Sequence, residues 1–266
     1  MQVQFNSSLT IGAKPNIGYI PYMSSADFID VEKMLFSNGY YDYSISDTFS
    51  YPVLSPVVEI LNKERNGTIS SADADAQINA LKRHDVRNDY KKYLYQPLVN
   101  QQYSLNIRGG SSNHNFYLSV GYDKNINNLS AQYNRFTTQL EDNITLLKNL
   151  EISTAVNITQ SNTISEKQDY NFIYSAYNKS IYPYAQLADE NGNALAIPKD
   201  YRDEFKTIAQ QKGLLNWDYK PLEDYKFNSN TNRLQDALVS VGAKYKIITG
   251  LSAELRYQYE QSQSEN

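Results

Sequence analysis

Strict alternation of apolar and polar residues dominates this sequence. Between residues 102 and 109, Tyr103, Leu105 and Ile107 alternate with Gln102, Ser104, Asn106 and Arg108; between 114 and 123, Phe116, Leu118, Val120 and Tyr122 alternate with Asn115, Tyr117, Ser119 and Asp123. Successive side chains of a β-strand point to opposite faces, so a period of two specifies strands with one apolar and one polar face. The pattern recurs in Val3, Phe5, Leu9 and Ile11; in Phe136, Leu140, Ile144 and Leu146; in Leu150, Ile152, Val156 and Ile158; in the odd residues from Ala237 to Ile247; and in the odd residues from Leu251 to Tyr259. The expected fold class is all-β with helical loop insertions: an antiparallel meander of about seven strands, longer than the usual 5–6 residues. The strands are placed near residues 2–11, 102–109, 114–123, 135–147, 149–160, 234–247 and 250–261.

The connections alternate as well. Strands two and three are joined through Gly109-Gly110-Ser111-Ser112-Asn113, four and five through Lys148-Asn149, six and seven through Thr249-Gly250, all turn-forming residues. The long links, 12–101 and 161–233, with a shorter one after Lys124, all fall at the opposite strand ends. Short turns at one end and long loops at the other are how a transmembrane β-barrel is strung, so the meander is expected to form part of one, with the long loops extracellular. The aromatics agree. Tyr103, Tyr122, Phe136, Tyr257 and Tyr259 fall toward the long-loop end and Phe5, Phe116 and Tyr245 toward the short-turn end, the two girdles of an outer-membrane barrel in contact with a lipid bilayer. Gln4, Asn6, Asn106, Arg108, Gln139, Glu141, Asn143, Asn157, Glu254, Arg256 and Gln258 would then line the lumen. Asp142 falls on the apolar face, which predicts a β-bulge there.

Composition narrows the function classes. The 24 Tyr argue against general disorder. The absence of Cys removes disulfide scaffolds, thiolate zinc sites and cysteine nucleophiles. A net charge of −4 leaves no basic excess for nucleic acid. No run is long and apolar enough for a membrane helix, and MQVQFNSSLTIG has neither the basic nor the apolar region of a signal peptide, as expected of a chain that begins partway through a longer protein. No cofactor, metal or catalytic constellation is expected: His84 and His114 have no nucleophile motif around them, Asp73 and Asp75 fit a capped helix start better than a calcium loop, and the pairs Asp203/Glu204 and Glu223/Asp224 read as solvated charges rather than glycosidase carboxylates. The sequons at Asn66, Asn128, Asn143 and Asn157 read as chance in an Asn- and Ser-rich chain.

Within the long loops, residues 25–35 read as a helix ended by Asn38-Gly39, 71–84 as a second and 200–213 as a third; 187–197 reads as a small hairpin, and 40–51 and 170–184 as Tyr-rich irregular segments. The loop aromatics Tyr40, Tyr41, Tyr43, Tyr182, Tyr184, Trp217 and Tyr219 are the candidate contacts for a ligand or partner, with Trp217 the foremost, against the alternative that they form the loops' own small cores.

The run QQYSLNIRGGSSNHNFYLSVGYDKN, residues 101–125, resembles the SusC/RagA family of TonB-dependent outer-membrane transporters of Bacteroidetes. Gly109, Gly110, Tyr117, Gly121 and Tyr122 match that family's second and third barrel strands, and Arg135 stands where it has the Arg that opens the fourth. Tyr90 departs from the family's Trp, and residues 124–128 lack its Gly. The resemblance implies a nutrient-uptake protein of the cell outer membrane, not an enzyme. It implies import of oligosaccharides or peptides, energised by the TonB complex through a plug domain that is not in this sequence, and capped by a SusD-like surface lipoprotein. It places the chain as a fragment, on the first seven of about 22 strands. The competing expectation is a secreted all-β carbohydrate-binding or adhesin module.

Overall fold

The computed structural model describes residues 1–170, 173 and 180–266. The seven expected strands form one antiparallel sheet in the order β1 to β7: β1 Gln2–Gly12, β2 Leu98–Gly110, β3 His114–Ile126, β4 Gln132–Leu147, β5 Leu150–Ser165, β6 Asn230–Ile248 and β7 Leu251–Glu265. Every neighbour in space is a neighbour in sequence, so the sheet is a simple meander with β1 and β7 as its open edges. The ladders run past the alternating stretches into polar sequence, pairing Leu98 with Gly12 and Ser165 with Asn230. Pairing is a property of backbone groups and continues after the side-chain pattern has ended.

Local chemistry sets the short turns. At Gly109 the edge of the Phe116 ring covers the position a Cβ would occupy, 2.9 Å away, and at Gly110 a Cβ would meet the His114 carbonyl oxygen at 2.4 Å. The first glycine is roofed by a cross-strand aromatic and the second lets the returning backbone approach. The β6–β7 turn uses Gly250 at φ 89°, the left-handed region where glycine carries no steric cost.

The bulge expected at Asp142 is absent. Asp142 pairs in continuous register with Phe116 on one side and Thr154 on the other, and the irregularity in this hairpin lies between Thr145 and Leu147, beside the turn. Asp142 keeps its place on the apolar face because His114 Nε2 lies 2.6 Å from its carboxylate, which supplies the partner a bulge would otherwise have avoided needing.

The chain divides into two compact units. The strands with their short turns make one, and Pro15–Tyr95 with Lys167–Asn228 make the other, a helical loop unit. Its helices are α1 Ser25–Ser37, α2 Asp42–Ser46, α3 Pro56–Arg65, α4 Ser71–Leu81, α5 Val86–Asp89, which continues into a wider turn over Tyr90–Leu94, α6 Asp203–Gln211 and α7 Pro221–Asp224. None is long and apolar enough to cross a membrane. Ser24, Ser55 and Ser70 cap α1, α3 and α4 by accepting a backbone N–H, and the hydroxyls of Ser24 and Ser70 donate in turn to the carboxylates of Asp27 and Asp73 at 2.6 and 2.7 Å. Asp73 is therefore a helix-start residue. Residues 40–51 are not irregular throughout, since they contain α2, and α3 and α5 had no counterpart in the alternation-based reading. These helices are short, and tertiary packing outweighs their weak local signal. The hairpin at 187–197 shrinks to a tight turn at Gly192 closed by one bridge, Ala188 to Ala194. Within the Tyr-rich stretch 170–184, residues 171, 172 and 174–179 lie outside the described residues.

Candidate functional site

Two surfaces carry the candidate chemistry: the faces of the sheet and the aromatic residues of the loop unit. On the sheet, the alternation sorts side chains as it must. Leu105, Leu140, Val239 and Val241 stand exposed on the apolar face, and no second sheet covers them among the described residues. Leu118 and Ile152 on the same face are partly exposed.

The register arranges the aromatics of this face in two lines. Toward the long-loop end, Tyr103, Tyr122 and Phe136 sit directly opposite one another, and their row continues through Gln160 and Gln235 to Gln263. The aromatics of β7, Tyr259 and Tyr257, lie nearer the short-turn end than that row. The lower line descends in the same sense. The row of Phe5 on β1 reaches β3 at Val120, whereas the aromatic there is Phe116; the row of Phe116 reaches β6 at Val241, whereas the aromatic there is Tyr245. Each step is a shift of about four residues, so at about 3.4 Å per residue and 4.8 Å per strand the line drops roughly 27 Å over roughly 24 Å of sheet width. That slope is close to 45°, so the lower line comes near level when the strands tilt as they do in a membrane barrel, while the upper line is level across β2–β4 and steps down in the same sense only toward β7. Asp142 shares the row of Phe116, so it sits at the lower aromatic border and not in the aliphatic band.

The other face is a network of polar side chains. Arg108 donates to Gln2 Oε1 at 2.8 Å, the Tyr117 hydroxyl to Asn106 Oδ1 at 3.1 Å, Arg135 Nε to Asp123 Oδ2 at 2.8 Å, and Arg256 to Glu254 at 2.9 Å. Tyr117 and Arg135 are thus cross-strand ties on the polar face. Gly121 lies there too, where a Cβ would press on Thr137 Oγ1 at 2.6 Å, while Tyr122 belongs to the upper aromatic line and its hydroxyl reaches Asn134 at 3.4 Å.

The seven loop aromatics do not form one surface. Tyr182 and Tyr184 are buried core residues with ring centroids 4.6 Å apart. Of the two expectations for the loop aromatics, these two rings pack into the loop unit's own core, and both also line a cavity of that unit. Tyr40 and Tyr43 are exposed, and Tyr41 is half-buried edge-on to Tyr40. Tyr219 is half-buried with the Lys199 ammonium 3.9 Å from its ring centroid, and burial pushes its hydroxyl up to about 12. Trp217 is 41% exposed, with one side packed edge-on against Tyr201 at 5.1 Å and Phe205 at 6.2 Å. Tyr201 and Phe205 had no place among the contacts expected from sequence: Tyr201 precedes the extended N-cap Arg202 and Phe205 stands in the first turn of α6, so no helical spacing links them.

A buried acid also escaped the sequence reading. Glu32 on α1 is 5% exposed and accepts a hydrogen bond from the Tyr184 hydroxyl at 2.6 Å. Burial raises its carboxyl above the ordinary range, and the hydrogen bonds of Tyr184 and Ser55 offset this in part. Arg202 is a structural clamp: its guanidinium donates to the carbonyls of Ser44, Ile45 and Asp47, the orphan acceptors at the end of α2. His84 is hydrogen-bonded to the Gln186 side chain, and among the described residues no cluster has the ligands for a metal ion.

No protein-family model and no curated protein matches the chain. Solved structures do. A chain of the RagAB peptide transporter superposes with a TM-score of 0.61 at 16% identity, covering 98% of this chain and 28% of that one. The fold is shared. Chains of the RagAB peptide importer in its closed-closed and open-open states superpose at TM-scores of 0.64 and 0.63, with 15% and 16% identity and the same coverage. This chain therefore spans 28% of the length of the structures it matches.

Proposed function

We propose that the chain forms part of the wall and outer loops of a SusC-like, TonB-dependent transporter of the bacterial outer membrane. It imports peptides or glycans with a SusD-like lipoprotein as partner and takes its energy from TonB through a plug domain. The observation that carries this reading is the exposed apolar face of a single meander, bordered by aromatics toward both strand ends, the lower border at the slope of tilted membrane strands. The fold shared with RagAB chains supports it. In this reading the residues of the apolar face meet lipid and those of the polar face line the lumen. The meander is the leading part of a longer barrel, its edges β1 and β7 paired with further strands, because unpaired backbone groups in lipid are costly. The segments between β1 and β2 and between β5 and β6 are extracellular, and Trp217, Tyr40 and Tyr43 offer the aromatic surface toward substrate or partner.

The chain's lack of cysteine makes the test direct. Single cysteines at Leu105 and Leu140 and at Asn106 and Glu141, spin-labelled in the membrane-inserted protein, are expected to alternate. The first pair should be relaxed by oxygen, which concentrates in lipid, and the second by a water-soluble nickel chelate. Equal response of both pairs to the nickel chelate would overturn the assignment.

A further inference from the structure

The loop unit contains a cavity of about 620 Å³ that the transport reading does not use. Its size falls among small-molecule sites, about 300–1,000 Å³. The walls come from α3, residues 195–198 and α6, and every lining residue belongs to the loop unit. Ile60, Leu195 and Ile197 supply an aliphatic surface.

Two charged groups on these walls are poorly matched by the protein itself. The Lys206 side chain is only 7% exposed, yet its ammonium has Asp203 at 3.3 Å and Asp218 at 3.6 Å as its ion-pair partners. Charge-assisted hydrogen bonds of this kind close to about 2.7–2.9 Å, so an ammonium with three donors is held loosely. Asp203 is 76% exposed and largely satisfied by water. Glu59, one turn before Lys63 on α3, is partly buried and accepts no hydrogen bond among the described residues. Arg202 also lines the cavity; its two terminal nitrogens donate to the carbonyls that end α2, while its buried Nε has no hydrogen-bond partner among the described residues and only the Glu204 carboxylate at 3.4 Å. A sparsely bonded cation on α6 and an unbonded carboxylate on α3, lining one half-enclosed cavity, both gain from a ligand that completes them.

The balance of signs selects the ligand. A simple anion entering beside Lys206 would meet the fields of Asp203 and Asp218; a simple cation beside Glu59 would meet those of Lys63 and Arg202. A molecule carrying both charges and no net charge meets neither penalty. We propose that this cavity binds a small zwitterionic aliphatic molecule, with its carboxylate on Lys206, its ammonium on Glu59 and its alkyl body on Ile60, Leu195 and Ile197. The site is distinct from the faces of the sheet and stands whether or not the chain belongs to a transporter.

Calorimetric titration of the detergent-solubilised 266-residue chain at neutral pH tests it with three probes: leucine, isocaproate, which lacks the ammonium, and isopentylamine, which lacks the carboxylate. Leucine is expected to bind saturably and each half-ligand at least about tenfold more weakly, a loss of one ionic contact. Lys206→Met should bring leucine down to isopentylamine while Lys206→Arg keeps the carboxylate preference. Glu59→Gln should bring leucine down to isocaproate. This crossed pattern follows from two ionic contacts and not from a general loosening of the fold. Absence of saturable leucine binding by about 10 mM, half-ligands equal to leucine, or variants that keep the full discrimination would each overturn the proposal.

Discussion

The two units of this chain solve opposite problems with the same amino acids. Every buried apolar side chain among the described residues lies in the loop unit, where Ile29, Val57, Val58, Ile78 and Leu187 form an ordinary core at 1% exposure or less. The sheet unit has none. Its Val, Leu, Phe and Tyr residues stand on an exposed face, and its polar residues are the ones tied together across strands. The loop unit is built to exclude water from its interior, whereas the sheet unit turns its apolar side outward and keeps its hydrogen-bonded side chains on the other face. Hydrophobic side chains are thus buried in one unit and exposed on one face of the other, the inversion that the proposed membrane wall requires.

The strongest way to break that contrast is to truncate one aliphatic side chain in each unit. Ile78→Ala leaves a hole in a packed core and should cost the loop unit about 2–5 kcal/mol. Trp217, the chain's single tryptophan, reports its unfolding by fluorescence in a denaturant titration. Leu140→Ala on the exposed face creates no packed cavity and should cost the sheet less than about 1 kcal/mol in detergent, read by circular dichroism of the strands. Equal losses would mean that the outer face is a core after all.

A smaller effect concerns the loop unit's buried acid. Burial raises the folded pKa of Glu32 above its ordinary 4.5, so between 4.5 and the folded value the folded state binds the proton more tightly than the unfolded chain. Stability of the loop unit therefore falls as pH rises through that window. Glu32→Gln removes this contribution, and its advantage over the parent should grow with rising pH across the window in paired melting curves. Asp85, held low by its hydrogen bonds from Arg87 despite the opposing effect of burial, has the opposite sign and is common to both proteins. Curves that stay parallel would show that Glu32 is solvated.

The last effect is read in function and concerns Trp217, whose structural cost stays below that of a core truncation. Its exposed side leaves only the contacts with Tyr201 and Phe205 to lose, and aromatic pairs contribute about 0.5–1.5 kcal/mol each. If the proposed transport function is right, Trp217→Ala in the full-length protein should weaken substrate capture or partner docking without abolishing assembly. Unchanged uptake would remove Trp217 from the candidate contacts and make the loop unit a spacer.

Much of the sheet was legible because a two-residue period is a local property: Leu105, Leu118 and Leu140 announce their shared face without knowledge of any partner strand. The turns were legible for the same reason, through Gly109-Gly110 and Thr249-Gly250. The loop unit was harder. Its helices are short, and nothing in the spacing of Tyr182 and Tyr184 distinguishes a ring that stacks in a core from one that meets a ligand; Tyr184 finds its hydrogen-bond partner in Glu32, 152 positions earlier in the chain. The alternation misled at Asp142, where the period implied a defect and a cross-strand histidine supplied a partner instead.

The sequence by itself determined the strands, their order as a meander, the segregation of short turns from long links and the two-faced character of every strand, because each follows from periodicity and turn chemistry. Only the tertiary structure decided the rest. It aligned the aromatics into two lines, the lower one sloping, since slope exists only once six registers are set. It buried two of the seven candidate rings and brought Glu59, Lys206 and Asp218 around one cavity, since closeness between residues far apart in the chain is fixed by packing and not by pattern.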